Sequence, residues 1–179
     1  MTQMGTPITK PKSKASAPRA IIRRKLQQAV TAKLSGAGVV KFCVQGSAAS
    51  STAIKFTPSK LVEVLQIGLP FRELQDLQAS LAVPTEKLAP MLGISKATFH
   101  RRKGDASKLP PAVSDRVVRY ARLLGQAFKV FDGLEAAKQW LSAPQFGLGG
   151  AVPLDYAKTE IGAREVENLL GRIEYGVYS

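Results

Sequence analysis

The chain has little with which to do covalent chemistry. Cys43 is the single cysteine in 179 residues, so neither an internal disulfide nor a cysteine-built zinc site can form. His100 is the single histidine, which leaves acid/base and triad chemistry without its usual material. No run approaches about 18 consecutive apolar residues, and this removes a membrane-spanning helix. Acidic residues number 13 against 26 basic ones, and none precedes Glu63. The net charge of +13 points to a polyanionic partner, nucleic acid ahead of an anionic membrane surface. Hydrophobic residues still make up 45% of the chain, enough to require a packed core.

The charge excess is local. Eleven basic and no acidic residues lie between 1 and 60, seven and five between 61 and 110, eight and eight between 111 and 179. The first stretch is rich in Lys, Ser, Thr, Ala and Gly, with Phe42 and Phe56 as its only aromatics. Such a composition buries too little apolar area to offset chain entropy, so a mostly mobile basic arm is expected over 1–56. Within it, residues 18–34 place Ile22, Leu26, Ala29 and Val30 on one helical stripe, with Gly36 as a stop. A basic amphipathic helix of this kind suits DNA, a membrane surface or a partner. An acid-free, Arg- and Ser-rich N-terminus also resembles a transit peptide, and a plain solvated tail is the simplest alternative.

From Thr57 onward the patterns are helical. Thr57-Pro58 reads as an N-cap and first helical position, opening a helix through Leu61, Val62, Leu65 and Gln66 that Gly68 closes. After Pro70, the apolar residues Phe71, Leu74, Leu77 and Leu81 recur at helical spacing, with Arg72, Glu73 and Asp76 between them. The strongest periodicity runs from Pro111 to Phe131 through Val113, Val117, Tyr120, Ala121, Leu124, Ala127 and Phe128. Asp132-Gly133-Leu134-Glu135 fits an N-cap with an acid three residues on, ahead of a helix packing Leu134, Ala137, Trp140 and Leu141 before Pro144. A last helix begins near Thr159 or Glu160 and turns Val166, Leu169, Leu170, Ile173 and Val177 inward, with Arg164, Glu165 and Glu167 to solvent. Period-two alternation between Asn-Gly or Asp-Gly turns is absent, so the expected class is all-α.

Functional content begins at Thr85. A helix-turn-helix needs a small residue where its helices cross, a glycine four positions later in the turn, and apolar residues around both. Ala89 and Gly93 occupy those places, Leu88, Leu92, Ile94 and Phe99 supply the packing, and Ser95 can N-cap the second helix. On that helix Lys96, Ala97, His100 and Arg101 project toward a major groove. Arg101 and Arg102 suit phosphate better than base edges, because phosphate contacts are the more numerous kind. Pro90 inside the first helix predicts a kink, and Arg102 at a place where an apolar residue is usual predicts a short second helix. The plain alternative is a helical hairpin whose Arg101, Arg102 and Lys103 only complement a helix dipole. Gly147-Leu148-Gly149-Gly150 matches neither phosphate-binding glycine fingerprint and reads as a tight turn. No metal ligand set and no cofactor motif is found, and the enzymatic reading is the weakest.

Several ordered motifs carry a family resemblance. Arg101-Arg102-Lys103, Leu109 and Ser114-Asp115-Arg116-Val117 resemble the joint between the two domains of Xre/MbcA/ParS-type antitoxins. Ala136-Ala137-Lys138-Gln139-Trp140-Leu141 with Pro144, then Leu148-Gly149-Gly150 and Pro153-Leu154-Asp155, is similar to the family's central signature, and so is the closing Gly171 to Tyr178. The likeness covers roughly residues 60 to 179 and leaves the basic arm outside.

The resemblance implies a bacterial, cytoplasmic antitoxin with a helix-turn-helix domain over 57–110 and a helical toxin-binding domain over 111–179. It implies dimerisation and repression of its own operon through Ser95, Lys96, Ala97, His100, Arg101 and Arg102 on double-stranded operator DNA. It also implies capture of a RES-type, NAD-consuming toxin. Trp140, Leu148, Gly149 and Gly150 are the expected toxin contacts, together with the terminal Arg172, Glu174, Tyr175, Tyr178 and Ser179. The competing reading is a stand-alone dimeric helix-turn-helix regulator without a toxin.

Overall fold

One long helix, Pro111–Phe131, is the spine of the described residues. The computed structural model describes residues 38–45, 58–102 and 108–177. Its helices are α1 (Val39–Gln45), α2 (Pro58–Ile67), α3 (Phe71–Leu81), α4 (Thr85–Met91), α5 (Lys96–Arg102), α6 (Pro111–Phe131), α7 (Leu134–Ser142), α8 (Pro153–Tyr156) and α9 (Glu160–Glu174), with a 3-10 turn at Phe146–Leu148. Among the described residues there is no strand, only an isolated bridge between Pro70 and Lys108. The class is all-α, as the periodicity predicts.

The 21 residues of α6 extend roughly 31 Å at 1.5 Å per residue. Its apolar stripe, Val113, Val117, Tyr120, Ala121, Leu124 and Ala127, is buried as expected. Helices α1, α2 and α3, which precede it in the chain, and α7 and α9, which follow it, all pack against it. Buried Ser114 fastens the start of α6: its hydroxyl accepts from the Leu69 amide at 2.9 Å and donates to the Pro110 carbonyl at 3.1 Å.

The main departure from the sequence reading is α1, which falls inside the stretch expected to be a mobile arm. Val39, Val40 and Val44 are buried, and α1 lies against α6 where Gly125 leaves room. A Cβ on Gly125 would stand 1.8 Å from the Cys43 carbonyl oxygen, so only glycine permits this approach. The first amides of α1 need acceptors. Glu73 of α3 supplies one, its carboxylate accepting from the Val40 amide at 3.0 Å. Glu73, which lies between the apolar positions of the α3 stripe, is therefore buried. Burial pushes its carboxyl above the usual range, and the Val40 amide opposes that shift. The helix expected over 18–34 and the cap residue Thr57 lie outside the described residues.

Smaller differences have local causes. In α2 the buried residue is Val64, while Val62 is exposed. Asp132 does not cap α7; it ends α6 in the left-handed region at φ 49°, a conformation Asp tolerates, and Gly133 precedes α7 without a side-chain cap. Glu167 is not free in solvent, because Arg122 of α6 donates to it at 2.7 Å. Val177 is exposed rather than inward, because the chain has left α9 by then.

Candidate functional site

The helix-turn-helix forms from α4 and α5, and its turn has a defined cause. Gly93 sits at φ 66°, and a Cβ there would meet Arg116 Nη1 at 2.0 Å. That guanidinium reaches over the turn from α6 and donates to the Leu92 carbonyl at 2.8 Å, placing a positive charge at the carboxyl end of α4. Ile94 closes the turn by donating to the Ala89 carbonyl. Ser95 then caps α5 as expected, its hydroxyl accepting from the Thr98 amide at 3.1 Å. Phe99 is buried edge-on against Phe71, with ring centroids 5.4 Å apart, and this contact sets the roll of α5 on α3. Pro90 stands inside α4, one residue before its end, and leaves the Glu86 carbonyl without the amide donor four residues on.

With Phe99 pointing inward, Lys96, Ala97, His100 and Arg101 face solvent together. Lys96 Nζ lies 3.4 Å from Glu86 Oε1 of α4, an exposed pair that salt screens. The backbone amide of Glu86 itself, and then Lys96, hold the Glu86 carboxyl below its usual range. Arg102 is half-buried and donates to the Lys108 carbonyl at 3.3 Å, so it is tied to the following segment. The expected short second helix is seen in the seven residues of α5.

At the other end of α6, Trp140 is half-buried against Phe131, with ring centroids 5.5 Å apart. Residues 145–151 form the tight turn expected of the glycine run. Gly149 and Gly150 have φ of 65° and 83°, and open space lies beyond both. Buried Leu148 anchors the turn from below, and the Gln145 side chain donates to the Trp140 and Ala143 carbonyls. Gly147 lets the turn sit on Leu169, since a Cβ would stand 2.6 Å from its side chain. The structure thereby brings the turn alongside the second half of α9. Thr159 starts α9, its hydroxyl accepting from the Gly162 amide. Gly176, at φ 67°, ends it: the Val177 amide donates to the Arg172 carbonyl and the Gly176 amide to the Ile173 carbonyl. Arg172, Glu174 and Tyr175 are exposed around this exit, while Tyr178 and Ser179 lie outside the described residues.

Two features escaped the sequence reading. Phe146 is 100% exposed at the tip of the turn, and Ile161 is 78% exposed on α9. The available signal was an apolar residue between Pro144 and the glycines with no helical partner in sequence. Other reactive side chains have structural roles. Burial pushes the Cys43 thiol up to about 11, and the Tyr120 phenol, which donates to the Leu154 carbonyl, up to about 12. Among the described residues no group of His, Cys, Asp and Glu could hold a metal, and no helix is long and apolar enough to cross a membrane.

Comparison with known proteins accounts for both ends of the molecule. Residues 61–122 match the antitoxin Xre-like helix-turn-helix domain, and residues 126–176 match the antitoxin Xre/MbcA/ParS C-terminal toxin-binding domain. The boundary between the two matches falls inside α6. The chain is 31% identical to an antitoxin Xre of Yersinia enterocolitica over 120 residues, 66% of this chain and 81% of that protein. It is 32% identical to an antitoxin Xre of Photorhabdus laumondii over 117 residues, 65% of this chain and 79% of that protein. A Prs ADP-ribosylating antitoxin of Sphingobium is 26% identical over 132 residues, 69% of this chain and 83% of its own length. With a glycine turn stapled by Arg116, a serine-capped outward helix and a carboxyl-terminal module on the same spine, the chain belongs to the Xre/MbcA/ParS antitoxin family.

Proposed function

We propose that this antitoxin neutralises a RES-type toxin that consumes NAD, and that it represses its own operon as a homodimer. The observation that carries the first half is the exit of the chain at Gly176. It leaves Arg172, Glu174 and Tyr175 exposed on the tail where the chain departs from α9. A narrow tail enters an active-site cleft that a folded domain cannot, and Tyr and Arg are residue types that anchor interfaces. Trp140 and the exposed Gly149-Gly150 turn are the second part of the toxin contact, with Leu148, expected to touch the toxin, instead buried beneath the turn as its support. The name of the Sphingobium relative speaks of ADP-ribosylation, and ADP-ribosyl transfer draws on NAD.

For the second half, α5 enters the major groove with Lys96 toward base edges, His100 and Ala97 beside it, and Arg101 at the groove edge within reach of phosphate and base alike. Ser95 and Arg102 serve the backbone side of the same contact. The basic arm adds sequence-independent affinity by releasing counterions, and α6 belongs to both modules.

A variant ending at Gly171 tests the division. It should remain helical and shift promoter DNA, yet fail to protect cells in which the toxin encoded beside it is expressed. Full protection by the shortened chain would overturn the tail reading.

A further inference from the structure

We infer that Phe146 is a second toxin anchor, a preformed apolar knob that fills a pocket on the toxin beside its active-site entrance and selects the cognate partner. The inference rests on the reading of 126–176 as the toxin-binding face and adds a residue to it. Phe146 is 100% exposed, so its ring contributes nothing to the packing of this chain. Its position is nevertheless fixed from both sides. The Gly149 amide donates to the Phe146 carbonyl at 2.9 Å, the Gly150 amide to the Gln145 carbonyl at 2.9 Å, and the Gln145 amide to the Ala151 carbonyl at 3.1 Å. The Gln145 side chain holds the turn to the end of α7, and Leu148 is buried beneath it. A large apolar side chain on a turn already ordered enters a partner with little further entropy cost. Burying an aromatic ring removes on the order of 150–250 Å² from water.

The position of the turn selects the partner. Gly147 rests on Leu169, and from Leu169 to Tyr175 the helix rises about 9 Å. Phe146 and the exit of the chain at Gly176 are therefore neighbours along α9, close enough for a single interface of standard size. A phosphate backbone has no use for an apolar knob, and from 111 to 179 the charges balance, eight basic against eight acidic. The turn cannot thread a cleft as the tail can, because its backbone is closed on itself. It docks against a pocket, while the tail does the blocking.

Calorimetry with the purified full-length chain and the toxin encoded beside it, made inactive for handling, tests the assignment. Phe146→Ala should weaken the complex roughly 30-fold or more, as a hot-spot truncation does. Phe146→Leu should recover most of the affinity, whereas promoter binding, dimer mass and melting temperature should not move. Equal affinity of Phe146→Ala and the unchanged chain would overturn the inference while leaving the toxin reading intact. Loss of the dimer with Phe146→Ala would also overturn it, making a second copy the occupant. Absence of any complex with the unchanged chain would bring down the toxin reading itself, and the inference with it.

Discussion

The two modules that share α6 present different surfaces. Around α5 the outward side chains are Lys96, His100 and Arg101, and every large apolar residue of α4 and α5 is turned in or half-covered. Past Pro144 the large exposed apolar residues are Phe146, Tyr156, Ile161, Tyr175 and Val177, whereas Val62 is the single one before it among the described residues. A polyanion is met by dispersed cations on a capped helix, because charge attracts at a distance and tolerates water. A folded protein is met by a few aromatic anchors that must be dried. The difference in surface chemistry thus separates two partners on one rigid element.

The largest effect should come from breaking what the two ends share. Gly125→Val places a branched side chain into the backbone of α1 at Cys43, which cannot move aside as a side-chain tip can. Overpacking typically costs about 1–3 kcal/mol and more against backbone, and displacing α1 also exposes Val39, Val40 and Val44. We expect a loss of about 3 kcal/mol or more in denaturant unfolding, with both promoter and toxin binding reduced together. Loss of one function alone would show that α6 is not a common support.

Next come substitutions that should separate the ends. Arg172→Ala and Tyr175→Ala should each weaken the toxin complex by about 2 kcal/mol and leave promoter affinity unchanged, read by calorimetry and electrophoretic shift on the same preparations. The reciprocal change, Lys96→Ala with Arg101→Ala, should remove discrimination for the promoter by about 1–3 kcal/mol per base contact and leave toxin affinity unchanged. Cross-effects in either direction would tie the two surfaces together.

A smaller and purely local break is Gly93→Ala. The left-handed φ costs a β-carbon about 1–2 kcal/mol, and the methyl group also displaces Arg116 from the Leu92 carbonyl. Promoter binding should fall and toxin binding persist. An unchanged promoter shift with Gly93→Ala would mean that the turn geometry does not orient α5.

How much of this was legible depends on where the stabilising partner sits in the chain. The α6 stripe, the Ala89–Gly93 spacing and the Ser95 cap are local patterns, and all three appear as read. The first helix α1 is not local. Its Val39, Val40 and Val44 lie in a Ser- and Gly-rich stretch with no acid, and what holds them is Gly125 far along the chain and Glu73, 33 residues from Val40. Asp132-Gly133-Leu134-Glu135 carries a capping pattern that loses to the need of α6 for a left-handed terminator. Phe146 could be read as loop but not as exposed, since exposure follows from the placing of Gly147 on Leu169. The tail is legible as chemistry, two tyrosines and an Arg-Glu pair, while its departure from α9 is set by the φ of Gly176.

The smallest expected effect concerns the carboxylate that joins α3 to α1. Glu73 is buried, its carboxyl raised first by desolvation, while the Val40 and Val39 amides and Arg72 favour the charge and Asp76 opposes it. A raised folded-state pKa means that the folded protein keeps a proton which the unfolded chain has already lost. Stability is therefore greatest on the acid side of this group, and falls as pH rises from the ordinary value of 4.5 through the raised one. Glu73→Gln keeps an acceptor for the Val40 amide and removes the titration. Urea unfolding across pH 4.5 to 8 should show the stability difference between Glu73→Gln and the unchanged chain moving in favour of the variant as pH rises, then levelling off. Neither promoter nor toxin affinity at neutral pH should change, since Glu73 faces neither surface. A difference that is flat with pH would mean the carboxylate meets α1 fully charged at no cost, held by the amides alone.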